Sequence, residues 1–321
     1  MTIAVGVDAG GTGSRAVVVR AGTVVERRDL GPLNVLLHAD AVDRLARLVT
    51  AVGAVEAGFG LAGVRSPADA DRLAAELAER TGARVAVGDD ADAALAGAFR
   101  GAPGIVVIAG TGSGAVGRDA AGRNARAGGH GYLLGDEGSG YWIGREAVRA
   151  ALRAADGTGP PTVLAALVQE AFGSLVGAEQ QVHQRPADRQ LLTRLVPAVA
   201  AAAAGPALGA AGPALGAAGP ALGAAGPALG AAGPALGAAG RVPAAGGAGP
   251  DPEAGRILTE AAAHLVDLAE ALRRRLGPLP VAGVGGIFRC APVRAAFAAA
   301  TGAVEPAEPP ELGALRLLDR P

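Results

Sequence analysis

Lysine is absent: all 29 basic side chains in the 321 residues are arginine. That excludes the phosphate and carbonyl chemistries that depend on a lysine, including the Walker-type loop, the strand lysine of protein kinases and the Schiff base. Bound phosphate would have to be held by backbone N–H groups, hydroxyls, arginine or metal. Cysteine is nearly absent too. Cys290 stands alone, so no internal disulfide can form and the expected compartment is the cytoplasm. One cysteine and four scattered histidines make no zinc constellation. Aromatic residues are 2%, too few for a base-stacking platform. The net charge is −1 with both signs interspersed, which argues against a nucleic-acid or membrane-surface partner. No apolar run reaches membrane-spanning length without Gly, Pro or charge. The apolar start is broken by Asp8 and a run of glycines, so no leader peptide is expected.

What is present is apolar bulk and glycine. Half the residues are apolar, enough for a sizeable core, and the length allows two domains. The chain is organised around Val5–Val19, which reads as strand, glycine-rich turn, strand. The turn Gly10-Gly11-Thr12-Gly13-Ser14 offers backbone N–H groups and hydroxyls to an anion, and Asp8 enters it with a carboxylate suited to hydrated Mg²⁺. A phosphate clamp and a plain glycine hairpin both fit this stretch taken alone.

Downstream, the pattern predicts a strand over 23–28, a loop over 31–35, a helix over 40–53, a strand over 56–61, a helix from Pro67 to Arg80 and a strand over 84–87. Asn34 fits either a turn-former or a donor to a sugar hydroxyl. Asp89 and Asp90 lie where a strand ends and a helix opens, the place α/β proteins put their sites. One fits a helix N-cap and the other a general base. Residues 104–117 repeat the opening grammar, with Gly110-Thr111-Gly112-Ser113 as the turn. Gly112, Gly114 and Gly117 spell a dinucleotide motif, but the chain returns as a strand rather than opening a helix, so that reading fails. Two such hairpins suggest duplicated lobes. The stretch 128–144 sets Gly129, His130, Asp136 and Glu137 among glycines, ahead of the single tryptophan, and a helix is predicted from residue 144 or 145 to 155.

Residues 161–204 read as helical. From Gly205 to Ala239 the chain holds five copies of Gly-Pro-Ala-Leu-Gly-Ala-Ala, then a Gly/Ala/Pro-rich stretch to Pro250. Proline every seven residues forbids a continuous helix, so 205–250 reads as a low-complexity insertion. Asp251-Pro252-Glu253 opens a helix whose apolar stripe runs to Leu276, and Gly277 ends it. A strand then runs into Gly285-Gly286, where bare backbone could meet an adenine ring or simply turn. Residues 313–318 read as a last short helix.

This order of glycine hairpin, strand–Asp–helix, second hairpin, Gly-Asp-Glu-Gly loop and strand–Gly-Gly resembles the actin-like ATPase superfamily of sugar kinases. More closely it resembles the BadF/BadG/BcrA/BcrD-type family that includes N-acetylglucosamine kinase. Gly135–Trp142 is the most specific motif, and the likeness spans most of the chain except the repeats. The resemblance implies an α/β, two-lobed actin-like fold, a ribonuclease H-like duplication with a central cleft. Residues 1–102 would form the first lobe, completed by a helix within 305–321, and 103–304 the second, carrying the insertion. It implies ATP and Mg²⁺ as cofactors, an amino sugar as substrate, and a homodimer as relatives often are. By residue, it implies Asp8 at the metal; Gly10, Gly11, Thr12, Gly110, Thr111, Gly112 and Ser113 at the phosphates; and Gly285 and Gly286 at adenosine. Asp90 would be the base, with Asn34, Gly129, His130, Asp136 and Glu137 at the sugar. Asp89 stands where relatives often have Asn, and His130 where the loop often has Trp. The implied reaction is phosphorylation of the 6-hydroxyl of N-acetylglucosamine, with glucosamine or another hexose as alternatives. An ATPase activator of a dehydratase or reductase would need more cysteine than Cys290, and a non-catalytic sugar sensor would need neither base nor clamp.

Overall fold

The computed structural model describes residues 2–10, 13–186, 188–205 and 249–319. Gly11, Thr12 and the repeats beyond Gly205 lie outside the described residues. Contacts divide the chain into two compact units, Met1–Trp142 with Thr259–Pro321, and Ile143–Leu258.

The first unit holds two sheets. One is built from β1 (Ile3–Ala9), β2 (Ser14–Arg20), β3 (Thr23–Asp29), β4 (Glu56–Leu61) and β5 (Arg84–Gly88), in the order β3-β2-β1-β4-β5. The hairpin partners are antiparallel, and β4 and β5 join parallel through the crossover helices α1 (Ala41–Val52) and α2 (Pro67–Thr81). Helix α3 (Asp90–Ala98) follows β5. The second sheet comprises β6 (Gly104–Ala109), β7 (Ser113–Arg118), β8 (Asn124–Gly128) and β9 (Val281–Val284), in the order β8-β7-β6-β9. A parallel bridge from Ala282 to Val304 extends it by one rung. The strand order and directions of the first sheet therefore recur in the second, the actin-like duplication that the paired glycine hairpins suggested.

Alternating burial explains the first sheet. Val5, Val7, Phe59 and Leu61 point to one face and pack on Leu45, Leu48 and Val49 of α1 and Leu73 and Leu77 of α2. The opposite face is glycine, because backbone lies against it. The helices that complete the chain are α4 (Gly140–Ala155), α5 (Leu164–Phe172), α6 (Leu175–Gln184), α7 (Gln190–Thr193), α8 (Val196–Ala204), α9 (Pro252–Leu276), α10 (Ala291–Thr301) and α11 (Pro310–Leu315). Helix α11 packs on the glycine face of the first sheet. A Cβ on Gly6 would lie 2.0 Å from the Glu311 carbonyl oxygen, and one on Gly58 would lie 2.1 Å from that of Ala314. Helix α3 sits beside it, buried through nearly its whole length, and turns Ala94, Leu95 and Ala98 toward Val106, Val116 and Ala282 of the second sheet.

Three boundaries differ from the sequence reading. Helix α4 starts at Gly140, four residues before the predicted onset, because Ser139 caps it by accepting the Trp142 N–H at 3.2 Å. The glycines there hid that start. The stretch 161–204 divides into four helices. Gly173 takes φ +82°, and Ser174 opens α6 by accepting the Gly177 N–H at 2.8 Å. The last helix starts at Pro310 rather than 313, as proline favours the first helical position, and a 3₁₀ turn follows over Arg316–Asp319. In the second unit, Asp251 accepts from Thr162 Oγ1, the Val163 N–H and the Ala254 N–H, so the predicted cap of α9 also anchors the loop ahead of α5.

The close approach of α11 gives a stability test. Gly58→Ala should destabilise the protein by at least ~1–3 kcal/mol, the usual cost of overpacking. Gly255→Ala, in α9 with open space around its Cβ, should stabilise by about 0.5–1 kcal/mol. Denaturant unfolding of the two variants checks both signs.

Candidate active site

The site grows from the carboxyl ends of β1 and β5. Asp8 is the penultimate residue of β1 and lies in register with Gly60 of β4. A Cβ on Gly60 would meet the Ala93 Cβ at 2.4 Å and the Asp90 Cα at 3.5 Å. Bare backbone at 60 is thus what admits the first turn of α3 and brings Asp90 beside Asp8. The two carboxylates repel each other, and the Glu311 carboxylate of α11 repels Asp8 as well.

Of the adjacent pair, Asp89 is the cap. Its Oδ1 accepts the Asp92 N–H at 2.7 Å, and its Oδ2 meets Arg126 of β8 at 2.5 Å. Asp90 is the first residue of α3, and its Oδ1 accepts the Ala91 N–H at 3.0 Å. Among the described contacts Asp90 has no cationic side chain in hydrogen-bond contact, which leaves its carboxylate available to a hydroxyl.

Burial dominates the electrostatics. It pushes Asp8 from 3.8 up to about 7, with Asp90 and then Glu311 adding repulsion and Arg15 opposing. Burial also raises Asp90; Asp89 adds to the rise, while backbone N–H groups and Arg126 oppose it. Carboxyls displaced this way suit proton transfer or cation binding. No group of three or more His, Cys, Asp or Glu able to hold a metal occurs among the described residues. Asp8 nonetheless fits Mg²⁺, which is usually held by one or two carboxylates, water and substrate phosphates rather than by a protein cage. A cation there would relieve the repulsion around Asp8.

The first hairpin closes with the Gly10 N–H donating to the Gly13 carbonyl at 3.1 Å, while Ser14 Oγ turns back to the Gly10 carbonyl at 3.4 Å. The calls on Gly11 and Thr12 lie outside the described residues. In the second hairpin the Gly110 N–H donates to the Gly112 carbonyl at 2.9 Å. The Gly110 and Thr111 carbonyls accept the first N–H groups of α4, from Gly140 at 2.8 Å and Tyr141 at 3.3 Å. The start of α4 is therefore joined to this turn. Ser113 spends its hydroxyl on the Glu137 carbonyl at 2.7 Å, and its N–H donates to Asp136 Oδ1 at 3.2 Å. Asp136 is 4% exposed and held at φ +63°, with its carboxylate against Gly112. Gly129, His130 and Glu137 are exposed. The Asn34 Oδ1 accepts the Leu36 N–H at 2.9 Å, which is the turn-former's role, and its NH₂ group has no partner among the described contacts.

A cavity of about 640 Å³ links several of these parts. Asp8 and Arg15 line it, as do Gly285, Gly286 and Phe288. Gly285 takes φ +114°, and a Cβ there would strike the Ala109 carbonyl oxygen at 2.3 Å, so glycine is required. Gly286 has open space above it. Sequence reasoning missed Arg126 and Glu311. One is an arginine in a short strand between two glycine-rich stretches; the other is an acid in a proline-rich tail. Only the fold brings them to the carboxylates.

Asp8 carries a test. A carboxyl whose folded pKa exceeds its unfolded value binds the extra proton when folded, so its contribution to stability falls as pH rises from 3.8 through about 7. In metal-free buffer the melting temperature of Asp8→Asn relative to the native protein should therefore increase between pH ~5 and ~8. A constant or shrinking difference contradicts the assignment.

Comparison with known proteins follows the same lines. A model of the BadF/BadG/BcrA/BcrD ATPase family matches residues 5–207. The N-acetylmuramic acid/N-acetylglucosamine kinase of Clostridium acetobutylicum is 51% identical over 81 residues, 25% of this chain and 26% of its own length. The N-acetyl-D-glucosamine kinase of Dictyostelium discoideum is 37% identical over 115 residues, 35% and 36% of the two chains. The chain thus aligns with only about a quarter to a third of these relatives' lengths. A crystal structure from Chromobacterium violaceum, provisionally named an N-acetylglucosamine kinase, matches with a TM-score of 0.68 and 26% identity over 99% of both chains. With a family model matching more than half its length, the chain belongs to the BadF/BadG/BcrA/BcrD ATPase family.

Proposed function

We propose that the protein is an ATP-dependent sugar kinase that transfers the γ-phosphoryl group of ATP to the 6-hydroxyl of N-acetylglucosamine. The observation that carries this reading is the placement of Asp90. Its carboxylate opens α3, is largely dry, stands beside Asp8, and has no cation in hydrogen-bond contact among the described contacts. A raised pKa makes a carboxylate a stronger base, provided it remains ionised at the working pH. The kinases named among the relatives support the choice of sugar.

In this reading Asp90 accepts the proton of the 6-hydroxyl as the sugar oxygen bonds to phosphorus and the bond to ADP breaks. Asp8 would hold Mg²⁺, which would supply positive charge to the phosphates. Backbone N–H groups of the two glycine turns, with the Thr12 and Thr111 hydroxyls, hold the phosphate chain from two sides. Gly285 and Gly286 leave the cavity wall bare for the nucleoside. The Asn34 amide, Gly129, His130 and Glu137 meet the sugar; Asp136 and Ser113, tied to each other, shape the loop that presents them. Phosphoryl transfer asks little covalent chemistry of a protein, so in-line positioning and charge carry the rate.

Asp90→Asn keeps the shape of the side chain and removes the base. It should lower kcat by roughly 10²–10⁴ and leave the KM for ATP nearly unchanged. A coupled ADP-release assay across N-acetylglucosamine, glucosamine, glucose and N-acetylmannosamine checks this. Near-native turnover in the variant overturns Asp90 as base. No release by the native protein with any sugar overturns the kinase reading.

A further inference from the structure

Asp89 and Asp90 are consecutive, and both side chains are mostly withdrawn from water. Two adjacent carboxylates in one helical turn repel each other, and Asp90 in turn repels Asp8. A helix N-terminus answers part of this with its free N–H groups. The rest comes from one side chain of the other sheet. Arg126, on β8, meets Asp89 Oδ2 at 2.5 Å and Asp92 Oδ1 at 3.7 Å. It also lowers the cost of charging Asp90 without touching it. Its own place is fixed from behind, since its carbonyl accepts from Arg275 of α9 at 2.7 Å.

We propose that Arg126 is a positioning residue: by gripping Asp89 across the two sheets it fixes the first turn of α3, and so the Asp90 carboxylate, and supplies the positive charge that lets two adjacent carboxylates share that turn. This rests on the reading of Asp90 as base, but the grip itself does not. The roles divide cleanly. Asp89 Oδ1 is the cap and is replaceable by an amide oxygen, since Asn caps as well as Asp. Asp89 Oδ2 is the handle that Arg126 holds. Arg126→Gln would remove the counter-charge and leave Asp89 half-buried beside the base, the costly way to break such a pair. Asp89→Asn would remove the excess negative charge and keep the cap.

The experiment is a double-mutant cycle over Arg126→Gln, Asp89→Asn and the combined variant, read in two ways. In thermal unfolding, Arg126→Gln should lower the melting temperature by about 2–4 °C, and by clearly less when Asp89 is already Asn. In turnover, Arg126→Gln should lower kcat about tenfold or more while the KM values for ATP and sugar change little, because a misplaced base slows chemistry rather than binding. The combined variant should lose no more than Arg126→Gln alone, because Arg126 acts through Asp89. Additive effects in unfolding overturn the grip. A native kcat in Arg126→Gln, or a combined variant whose loss is the product of the two single losses, overturns the positioning role. If the native protein turns over no sugar, the kinase reading falls while the unfolding cycle still decides the grip.

Discussion

Negative charge crowded into a half-dry place is the constraint that the rest of this structure answers. Asp8 is the penultimate residue of one strand, Asp89 and Asp90 follow another, and Glu311 comes from the last helix. Separately each would be an ordinary surface carboxylate. Here burial first, and the neighbouring carboxylates after it, push Asp8, Asp89 and Asp90 toward holding a proton. The chain answers with arginines set at the edge rather than the centre: Arg27 on Glu311 at 2.8 Å, Arg126 on Asp89, and Arg15 near Asp8. Among the described contacts, neither Asp8 nor Asp90 has an arginine in hydrogen-bond contact. In the proposed reading this crowding is what a cation and a hydroxyl proton would answer, as moving a phosphoryl group onto a hydroxyl requires.

Glycine is the means by which those groups meet. Gly6, Gly58 and Gly60 share one face of the first sheet, and the space their side chains would fill is taken by backbone of α11 and α3. An alanine at any of these positions would hold the carboxylate-bearing helices away from Asp8. The same device recurs at Gly285, pressed on Ala109, and at Gly112, pressed on Asp136. The richness in glycine is thus a matter of close packing as much as of turns. In the proposed reading, a chain without lysine would meet phosphate with backbone in place of a long cation.

Much of this was legible in the residues. Branched apolar runs placed β1 and β2, the Asp251-Pro252-Glu253 cap placed α9, and the echo of one glycine hairpin in another gave the duplication that the repeated strand order bears out. One of the Asp89-Asp90 pair was readable as a helix cap, and the structure distinguishes which carboxylate caps. What stayed hidden depends on contacts far apart in the chain. Nothing local marks Arg126 as the partner of Asp89 or Glu311 as a neighbour of Asp8. The early start of α4 was masked because its first N–H groups are satisfied by the Gly110 and Thr111 carbonyls, distant in sequence, and by Ser139. Glycine count alone argued for a loop there. Asn34 showed the opposite limit: its local turn role was evident, and the fold adds only a free amide group beside it.

The central claim is that this arrangement directs phosphate to one oxygen of one kind of sugar. The most direct measurement is the identity of the product. The protein is incubated with ATP, Mg²⁺ and N-acetylglucosamine, and the phosphorus of the sugar product is located by its NMR coupling to the sugar protons. The account predicts a phosphomonoester coupled to the two protons on carbon 6, formed in step with ADP. Phosphate on another carbon, or ADP accompanied only by inorganic phosphate, would contradict it.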